Sequence, residues 1–183
     1  MVSRAISRWI LSAKGWTLLW RDQFPDKCVI CVAPHTSNWD FIYGQLTSVA
    51  LQLRSRFLMK KEWFFFPMGY LLRALGGIPV NRGKNRSLVD AMIEEFGNHN
   101  VLRLSITPEG TRKRTSKWKK GFYHIALGAK IPILMAYIDY EKKEIGLTEL
   151  FTPTGDQEKD FDFIRNFYKD KTGLIPQNFT LPE

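Results

Sequence analysis

Residues 28–41 read CVICVAPHTSNWDF and contain a transition from strand to helix. The run Cys28–Ala33 is apolar and rich in β-branched residues, which is typical of a buried strand. Ser37 and Asn38 then favour the start of a helix, because their side chains can accept hydrogen bonds from the free backbone N–H groups of its first turn. The stretch therefore predicts a strand, a polar loop and a helix in succession.

The alternation of short β-branched runs with longer amphipathic runs continues along the chain. We predict strands at 28–33, 56–59, 77–80, 101–107 and 131–138, helices at 38–52, 67–75, 86–97, 119–129 and 156–170, and a hairpin around Tyr140–Gly146. This is the pattern of a single α/β domain with a mixed central sheet flanked by helices. We expect the tail after Gly173, which contains Pro176 and Pro182, to be loosely attached.

The N-terminal segment has a helical spacing. Its apolar residues recur at steps of three and four: Val2, Ile6, Trp9, Ala13, Trp16 and Trp20. Arg4, Arg8 and Lys14 fall outside this stripe. Indole rings near cations suit a membrane interface, whereas packing on the protein's own core is the alternative. We predict an amphipathic, membrane-interfacial helix over residues 1–22, which precedes the main domain at 23–183.

The composition is strongly basic. Among the 183 residues, 27 Lys and Arg outnumber 18 Asp and Glu, and the formal net charge is +9. Such a surface attracts nucleic acid, anionic lipid or phosphorylated metabolites. We expect no nucleic-acid partner, because no zinc-finger spacing, basic heptad or aromatic RNP-like strand is present. The anionic membrane surface remains as an expected partner.

The apolar runs of the chain are short. The longest charge-free run, Phe41–Leu53, cannot span a bilayer, and Arg4, Arg8 and Lys14 interrupt the apolar start in a way that argues against a cleavable signal. We therefore expect a cytoplasmic protein that is peripheral on the inner face of the cytoplasmic membrane.

Cys28 and Cys31 form a C-x-x-C motif, for which a redox pair or half of a metal site are two possible interpretations. On a strand, however, residues three apart point to opposite faces of the sheet. We therefore interpret both as buried free thiols, and the sequence predicts no metal and no redox cofactor.

His35 and Asp40 are a candidate catalytic pair. On one continuous helix they would lie about 140° apart, so a contact requires the turn that precedes the predicted helix. The carboxylate would then fix the imidazole tautomer and leave the other ring nitrogen free to deprotonate a substrate hydroxyl. The spacing alone is common, and the alternative is that Asp40 caps the helix while His35 is a surface residue.

The loop after the predicted strand 101–107 is a candidate anion site, since residues 107–112 read TPEGTR. Gly110 permits close approach of the backbone, Thr111 adds a hydroxyl, and Arg112 offers a planar fork of donors to a phosphate. We expect Glu109 to hold Arg112 in place.

A second arginine, Arg82, follows the strand predicted at 77–80 and also lies near glycines. Two arginines on strand-end loops can clamp one phosphate, although each alone is typical of a solvated turn. A basic run follows the first loop: Arg112, Lys113, Arg114, Lys117, Lys119 and Lys120. Such a run is usually a solvated face, but beside a phosphate loop it can also bind an anionic bilayer or coenzyme A.

In this order the motifs resemble those of the glycerolipid acyltransferase family typified by lysophosphatidic acid acyltransferase, the PlsC type. His35 and Asp40 match the family's first motif, and the run GIPVNR at 77–82 matches its second. The third motif, PEGTR, is present unaltered at Pro108–Arg112, and Ile131–Ile133 matches the apolar fourth. The PEGTR block is the most specific of these.

The resemblance extends over roughly residues 28–138. It implies an α/β acyltransferase fold with an activity like that of 1-acylglycerol-3-phosphate O-acyltransferase, in phospholipid biosynthesis. The implied donor is an acyl thioester, either acyl-CoA or acyl carrier protein, which acts as a co-substrate rather than a cofactor. The implied acceptor is a lysolipid or glycerol phosphate.

The resemblance also implies site residues. His35 acts as the general base with Asp40, while Arg82 and the loop Glu109–Arg112 bind the acceptor's phosphate. The alternative function is a non-catalytic basic module that docks on anionic membrane or nucleic acid through the N-terminal helix and the basic run at 112–120.

Overall fold

The computed structural model describes residues 3–80 and 87–183. The strands are β1 (Thr17–Trp20), β2 (Lys27–Val32), β3 (Arg56–Lys60), β4 (Gly77–Val80), β5 (Leu102–Ile106), β6 (Ile133–Asp139) and β7 (Glu144–Phe151). The helices are α1 (Arg4–Ala13), α2 (Trp39–Ala50), α3 (Met68–Ala74), α4 (Leu88–Asn98), α5 (Gly121–Ala129) and α6 (Gln157–Tyr168). Short 3-10 turns lie at Lys61–Trp63 and Pro176–Asn178.

The strands form one sheet in the order β1-β7-β6-β2-β5-β3-β4. Among the strands that the structure describes, only β6 and β7 pair antiparallel, through the hairpin, and the other neighbours are parallel. Strands β2 and β5 are parallel neighbours, with Cys31 opposite Ile106. Because their carboxyl ends lie at the same edge of the sheet, the loops that follow them meet there.

Helices cover both faces of the sheet. On one face, α1 packs on α2, and Leu11, Trp16 and Ala50 form a buried cluster with Ile138 and Ile145 of the sheet. On the other face, α4, α5 and α6 cover a larger core, whose helical members include Met92, Phe96, Phe122, Tyr123, Ile125, Phe161, Ile164 and Tyr168. This two-sided packing is the α/β architecture that the sequence predicts.

The predicted strands and helices from residue 28 to residue 170 are all present, with ends that differ by a few residues. The N-terminal prediction is wrong in its length. The helix ends at Ala13, Gly15 adopts a left-handed φ of +77°, and Trp16 turns into the core with an exposure of 5%. Residues Thr17–Trp20 then pair with β7 at the edge of the sheet, so a helix over 1–22 does not exist.

The two cysteines are free and buried, and they lie on opposite faces of β2. Cys28 packs in the smaller cluster with Leu134 and Leu147, whereas Cys31 packs in the larger core beneath α5 and α6. Burial raises the pKa of each thiol to about 12, so both are protonated and unreactive near neutral pH. The interpretation as buried free thiols is confirmed.

The C-terminal tail is packed rather than loosely attached, which corrects the sequence prediction. Ile175 donates its N–H to Thr36 Oγ1 at 3.2 Å, and Trp118 Nε1 donates to the Thr180 carbonyl at 3.0 Å. Phe179 packs against the larger core. These contacts compensate for the conformational freedom that the tail loses.

No helix within residues 3–80 and 87–183 has the length and apolar content needed to cross a bilayer.

Candidate active site

The loop between β2 and α2 folds around the Asp40 carboxylate. Asp40 lies in the first turn of α2, and its Oδ2 accepts hydrogen bonds from Thr36 N and Ser37 N, each at 2.8 Å. Both amides lie in the loop before the helix, so these bonds fold the loop onto Asp40 rather than cap free N–H groups of α2. A carboxylate in the first turn also interacts favourably with the helix dipole, so a structural role and a catalytic role of Asp40 are compatible.

The same turn brings the His35 ring to the carboxylate. His35 Nδ1 lies 3.2 Å from Asp40 Oδ2, and the two side chains are 17% and 3% exposed. When Nδ1 carries the proton and donates it to Asp40, Nε2 is left as a proton acceptor. The contact predicted from the turn is thus present, and its geometry suits a general base.

Tyr140, in the turn between β6 and β7, was not identified from the sequence. Its hydroxyl donates to Asp40 Oδ1 at 2.7 Å, and its ring packs edge-on against Trp16 with centroids 5.1 Å apart. The hairpin is predicted, but no pattern in the sequence indicates that Tyr140 in its turn reaches the start of α2, one hundred positions away.

The Asp40 carboxylate stays charged despite its burial. Burial opposes the charged form, but the hydrogen bonds from His35, Tyr140 and the Ser37 backbone outweigh it and hold the pKa of Asp40 below its ordinary value. Burial raises the pKa of the Tyr140 hydroxyl, and its hydrogen bond to the Asp40 anion raises that pKa further. The aspartate is therefore ionised near neutral pH.

Glu109 has a different contact from the one predicted. Its side chain is buried, with an exposure of 4%, and both carboxylate oxygens accept from His35 N, at 2.8 and 3.1 Å. It therefore holds the backbone of His35 rather than the side chain of Arg112. Burial raises the pKa of Glu109 to about 7, the charge of Asp40 adds to this, and the hydrogen bonds from His35 N oppose it.

A cavity of about 1100 Å³ opens beside His35, between α2 and the sheet. Much of its wall is apolar and includes Ile30, Val32, Ile42, Leu53, Phe57, Ile138 and Leu147. Its charged members include the cations Lys60, Arg112 and Lys119. A cavity of this kind suits a ligand with a long apolar part and an anionic part.

The remaining residues of the TPEGTR loop lie on the cavity. Gly110 has a left-handed φ of +64°, which favours glycine, and together with Thr111 and Arg112 it lines the wall. Among the described residues, the exposed Arg112 guanidinium has no hydrogen-bond or ion-pair partner. The predicted second arginine, Arg82, lies outside the described residues.

In the part of the chain that the structure describes, no group of three or more His, Cys, Asp or Glu side chains is placed to hold a metal ion.

Comparison with known proteins identifies the family. The model of the acyltransferase family matches residues 20–139, which is more than half of the chain and includes both loops of the site. The chain belongs to the acyltransferase family. The matched region contains His35, Asp40 and Glu109, whose contacts are described above. The family thus agrees with the one that the motifs resemble.

Two curated proteins are similar in sequence to part of this chain. A protein of Escherichia coli K12 named 1-acyl-sn-glycerol-3-phosphate acyltransferase is 30% identical over 128 residues, which are 66% of this chain and 51% of that protein. A Saccharomyces cerevisiae protein of the same name is 29% identical over 116 residues, 59% of this chain and 37% of that protein. The chain therefore spans about half the length, or less, of these curated relatives.

A solved structure has the same fold. The crystal structure of the 1-acyl-sn-glycerophosphate acyltransferase PlsC from Thermotoga maritima aligns with a TM-score of 0.60 and 22% identity. The alignment covers 91% of this chain and 75% of that one. It confirms the predicted α/β fold.

Proposed function

We propose that the chain is an O-acyltransferase that moves an acyl group from a thioester to the hydroxyl of a lysophosphatidic acid-type acceptor. One observation supports the proposal above the others. The His35–Asp40 pair lies on a large apolar cavity that also carries cationic side chains without a partner among the described residues. This combines a proton acceptor, a place for an acyl chain and a place for a phosphate.

His35 is the general base of the proposed reaction. Nε2 takes the proton of the acceptor hydroxyl as the oxygen attacks the thioester carbonyl, and a tetrahedral oxyanion forms. Collapse of this intermediate breaks the C–S bond, and the leaving thiolate takes the proton back from His35. Asp40 keeps the ring oriented and stabilises the imidazolium while it carries the proton. No acyl-enzyme is needed, and the buried thiols of Cys28 and Cys31 take no part.

The acceptor's phosphate is the proposed ligand of the cations. Arg112 and Lys119 both line the cavity and belong to the loop between β5 and α5. Lys119 N donates to the Pro108 carbonyl at 2.7 Å, which joins the two ends of that loop. A guanidinium without a partner is ready to donate two parallel hydrogen bonds to a phosphate. Thr111 and Gly110 extend this site, and Arg82 is proposed to join it from the family motif.

The apolar part of the cavity is proposed to hold the acyl chain of a substrate. The donor is an acyl thioester of coenzyme A or of acyl carrier protein, and the acceptor is a membrane lipid. Peripheral association with the inner face of the cytoplasmic membrane is therefore proposed as well.

The test is a panel of acyl-CoA and acyl carrier protein donors with lysophosphatidic acid and glycerol 3-phosphate as acceptors. Release of free thiol and formation of acylated lipid are measured together. We expect both with the wild-type chain, and a loss of about a thousandfold or more in His35→Ala. The matched control is His124→Ala, an exposed histidine on α5, which should retain full turnover.

Two outcomes contradict the proposal. Full turnover in His35→Ala removes the general base. Binding to anionic vesicles or to oligonucleotides without thiol release from any donor favours a non-catalytic basic module instead.

A further inference from the structure

An exposed apolar surface lies outside the catalytic loops, between β3 and the end of α3. We call it the aromatic surface, and its members are Trp63, Phe65, Phe66, Met68, Tyr70 and Leu71. Phe66 is 82% exposed and Tyr70 is 71% exposed, although their rings contact each other edge-on. Single exposed apolar residues are common, but a contiguous group of large ones usually marks an interaction site.

The segment that carries this surface packs against the rest of the protein through its other side chains. Leu72 is buried, and the Phe64 ring lies against Gly77 of β4 and the Arg73 guanidinium. Gly69 is also buried, and a Cβ there would lie 2.6 Å from the Phe64 carbonyl oxygen. The backbone is thus packed tightly, and the outward direction of the aromatic side chains follows from that packing.

Cations accompany the aromatic rings. Lys60, Lys61 and Arg73 are exposed along the same segment, and Glu62 is the one acidic residue in the sequence from 60 to 73. Aromatic rings flanked by Lys and Arg are the composition of a surface that lies at a membrane interface, where the rings enter the headgroup region and the cations meet anionic lipid.

The aromatic surface is continuous with the cavity. Trp63 and Lys60 line the cavity and are also exposed, as are Trp39 and Ile42 on the α2 side. A lipid that left the bilayer beside Trp63 would therefore reach His35 along apolar wall. A protein partner seated on these residues would instead cover the opening, which favours lipid as the occupant.

We infer that the aromatic surface docks on an anionic lipid bilayer and that the acceptor lipid passes from the bilayer into the cavity beside Trp63. The second part of this inference rests on the proposed function. The docking itself does not, because it requires no turnover. The inference differs from the N-terminal prediction, since it assigns the main contact to the β3–α3 segment rather than to α1.

The experiment is flotation of the purified chain with vesicles of phosphatidylcholine and phosphatidylglycerol. The variant Phe65→Gln/Tyr70→Gln/Leu71→Gln removes three exposed side chains that do not line the cavity. We expect its binding to fall by about a hundredfold or more, because each buried apolar side chain contributes strongly to interfacial partition. Lys61→Gln should bind about fivefold more weakly to vesicles that contain phosphatidylglycerol. Its binding to vesicles of phosphatidylcholine alone should not change.

The matched control is Leu127→Gln/Phe163→Gln, which changes exposed apolar residues on α5 and α6, on the opposite face of the sheet from α2. We expect it to float like the wild type. Circular dichroism melting of all variants separates loss of binding from loss of the fold. Equal losses in the control and in the triple variant overturn the inference.

Two further outcomes overturn it. If Ile6→Gln/Trp9→Gln abolishes flotation while the triple variant binds normally, the contact belongs to α1. If the wild type sediments as a dimer and the triple variant as a monomer, without any change in vesicle binding, the surface joins two copies of the chain.

Turnover distinguishes this inference from the proposed function. In detergent micelles the triple variant should release thiol at the wild-type rate, whereas on vesicles its rate should fall with its binding. Normal flotation without thiol release contradicts the proposed function alone. Turnover with unchanged binding in the triple variant contradicts the docking alone.

Discussion

The two loops that meet at the carboxyl ends of β2 and β5 differ in how they are held. Around His35, the ring and the backbone N–H each have a buried carboxylate partner, and Tyr140 fixes one of those carboxylates. Arg112 on the other loop is exposed and has no partner among the described residues. The proposed proton acceptor is thus positioned before any substrate arrives, as base catalysis requires, while the proposed phosphate ligand Arg112 keeps its conformational freedom.

The largest effect is expected when the negative charge of Asp40, beside His35, is removed. In Asp40→Asn the amide oxygen can still accept from His35 Nδ1, but the negative charge that stabilises the imidazolium is lost, so we expect the turnover number to fall by about a thousandfold. Steady-state kinetics measures this, and thermal melting shows whether the loop still folds. A fall of less than about threefold would falsify the assigned role of Asp40.

Glu109 tests the connection between the loops, since it comes from one and binds the other. Its pKa is raised to about 7 in the fold from an ordinary value of 4.5, so its protonated form is favoured. The protonated Glu109 side chain therefore contributes on the order of 3 kcal/mol to the free energy of unfolding below pH 4.5. This contribution is lost as the pH rises through 7.

The measurement is the free energy of unfolding in urea across that pH range. In Glu109→Gln this decline should be missing, because the amide does not ionise. The matched control is Glu158→Gln, an exposed glutamate in the first turn of α6, which should keep the decline. Parallel curves for wild type and Glu109→Gln would contradict the assignment.

Arg112 tests the loop that follows β5. We expect Arg112→Ala to raise the Michaelis constant for a phosphorylated acceptor by about 10- to 100-fold and to change the turnover number little, because the lost hydrogen bonds act on binding. Arg114→Ala is the control, since that guanidinium bonds to Thr180 and does not line the cavity. Equal kinetics for the two variants would remove phosphate binding from Arg112.

The smallest effect is expected at Tyr140, which acts on His35 only through Asp40. Tyr140→Phe keeps the ring contacts and removes one hydrogen bond to a charged group, so we expect about a tenfold lower turnover number. The acid limb of the pH–rate profile should also move, because Asp40 loses a donor that stabilises its anion. An unchanged profile would make the contact purely structural.

Much of the fold follows from local pattern. The strand around Val29 and the helix after Asn38 each have a periodicity and a boundary that the sequence displays, and the structure has both. The apolar spacing predicts too long an N-terminal helix, because Trp16 and Trp20 continue that spacing beyond Ala13, where the helix ends. Pairing of Thr17–Trp20 with β7 is a contact between distant residues, and it outweighs local spacing.

The part of the site that could be predicted consists of residues that are close together in the chain or belong to one motif. The turn that joins His35 to Asp40 is local, and the sequence indicates it. Tyr140 and the true partner of Glu109 are not local, since each depends on which strands become neighbours. A motif identifies such a glutamate but does not indicate which atom it binds.

The contact between Glu109 and His35 N limits how this site can be rebuilt. Transfer of the TPEGTR loop into another α/β protein would bring the buried carboxyl group of Glu109 without the backbone N–H from which it accepts, and a buried polar group without a hydrogen-bond partner is destabilising. The loops after β2 and β5 are therefore one exchangeable unit rather than two. A chimera that swaps both together should fold and turn over, while each single swap should lose stability.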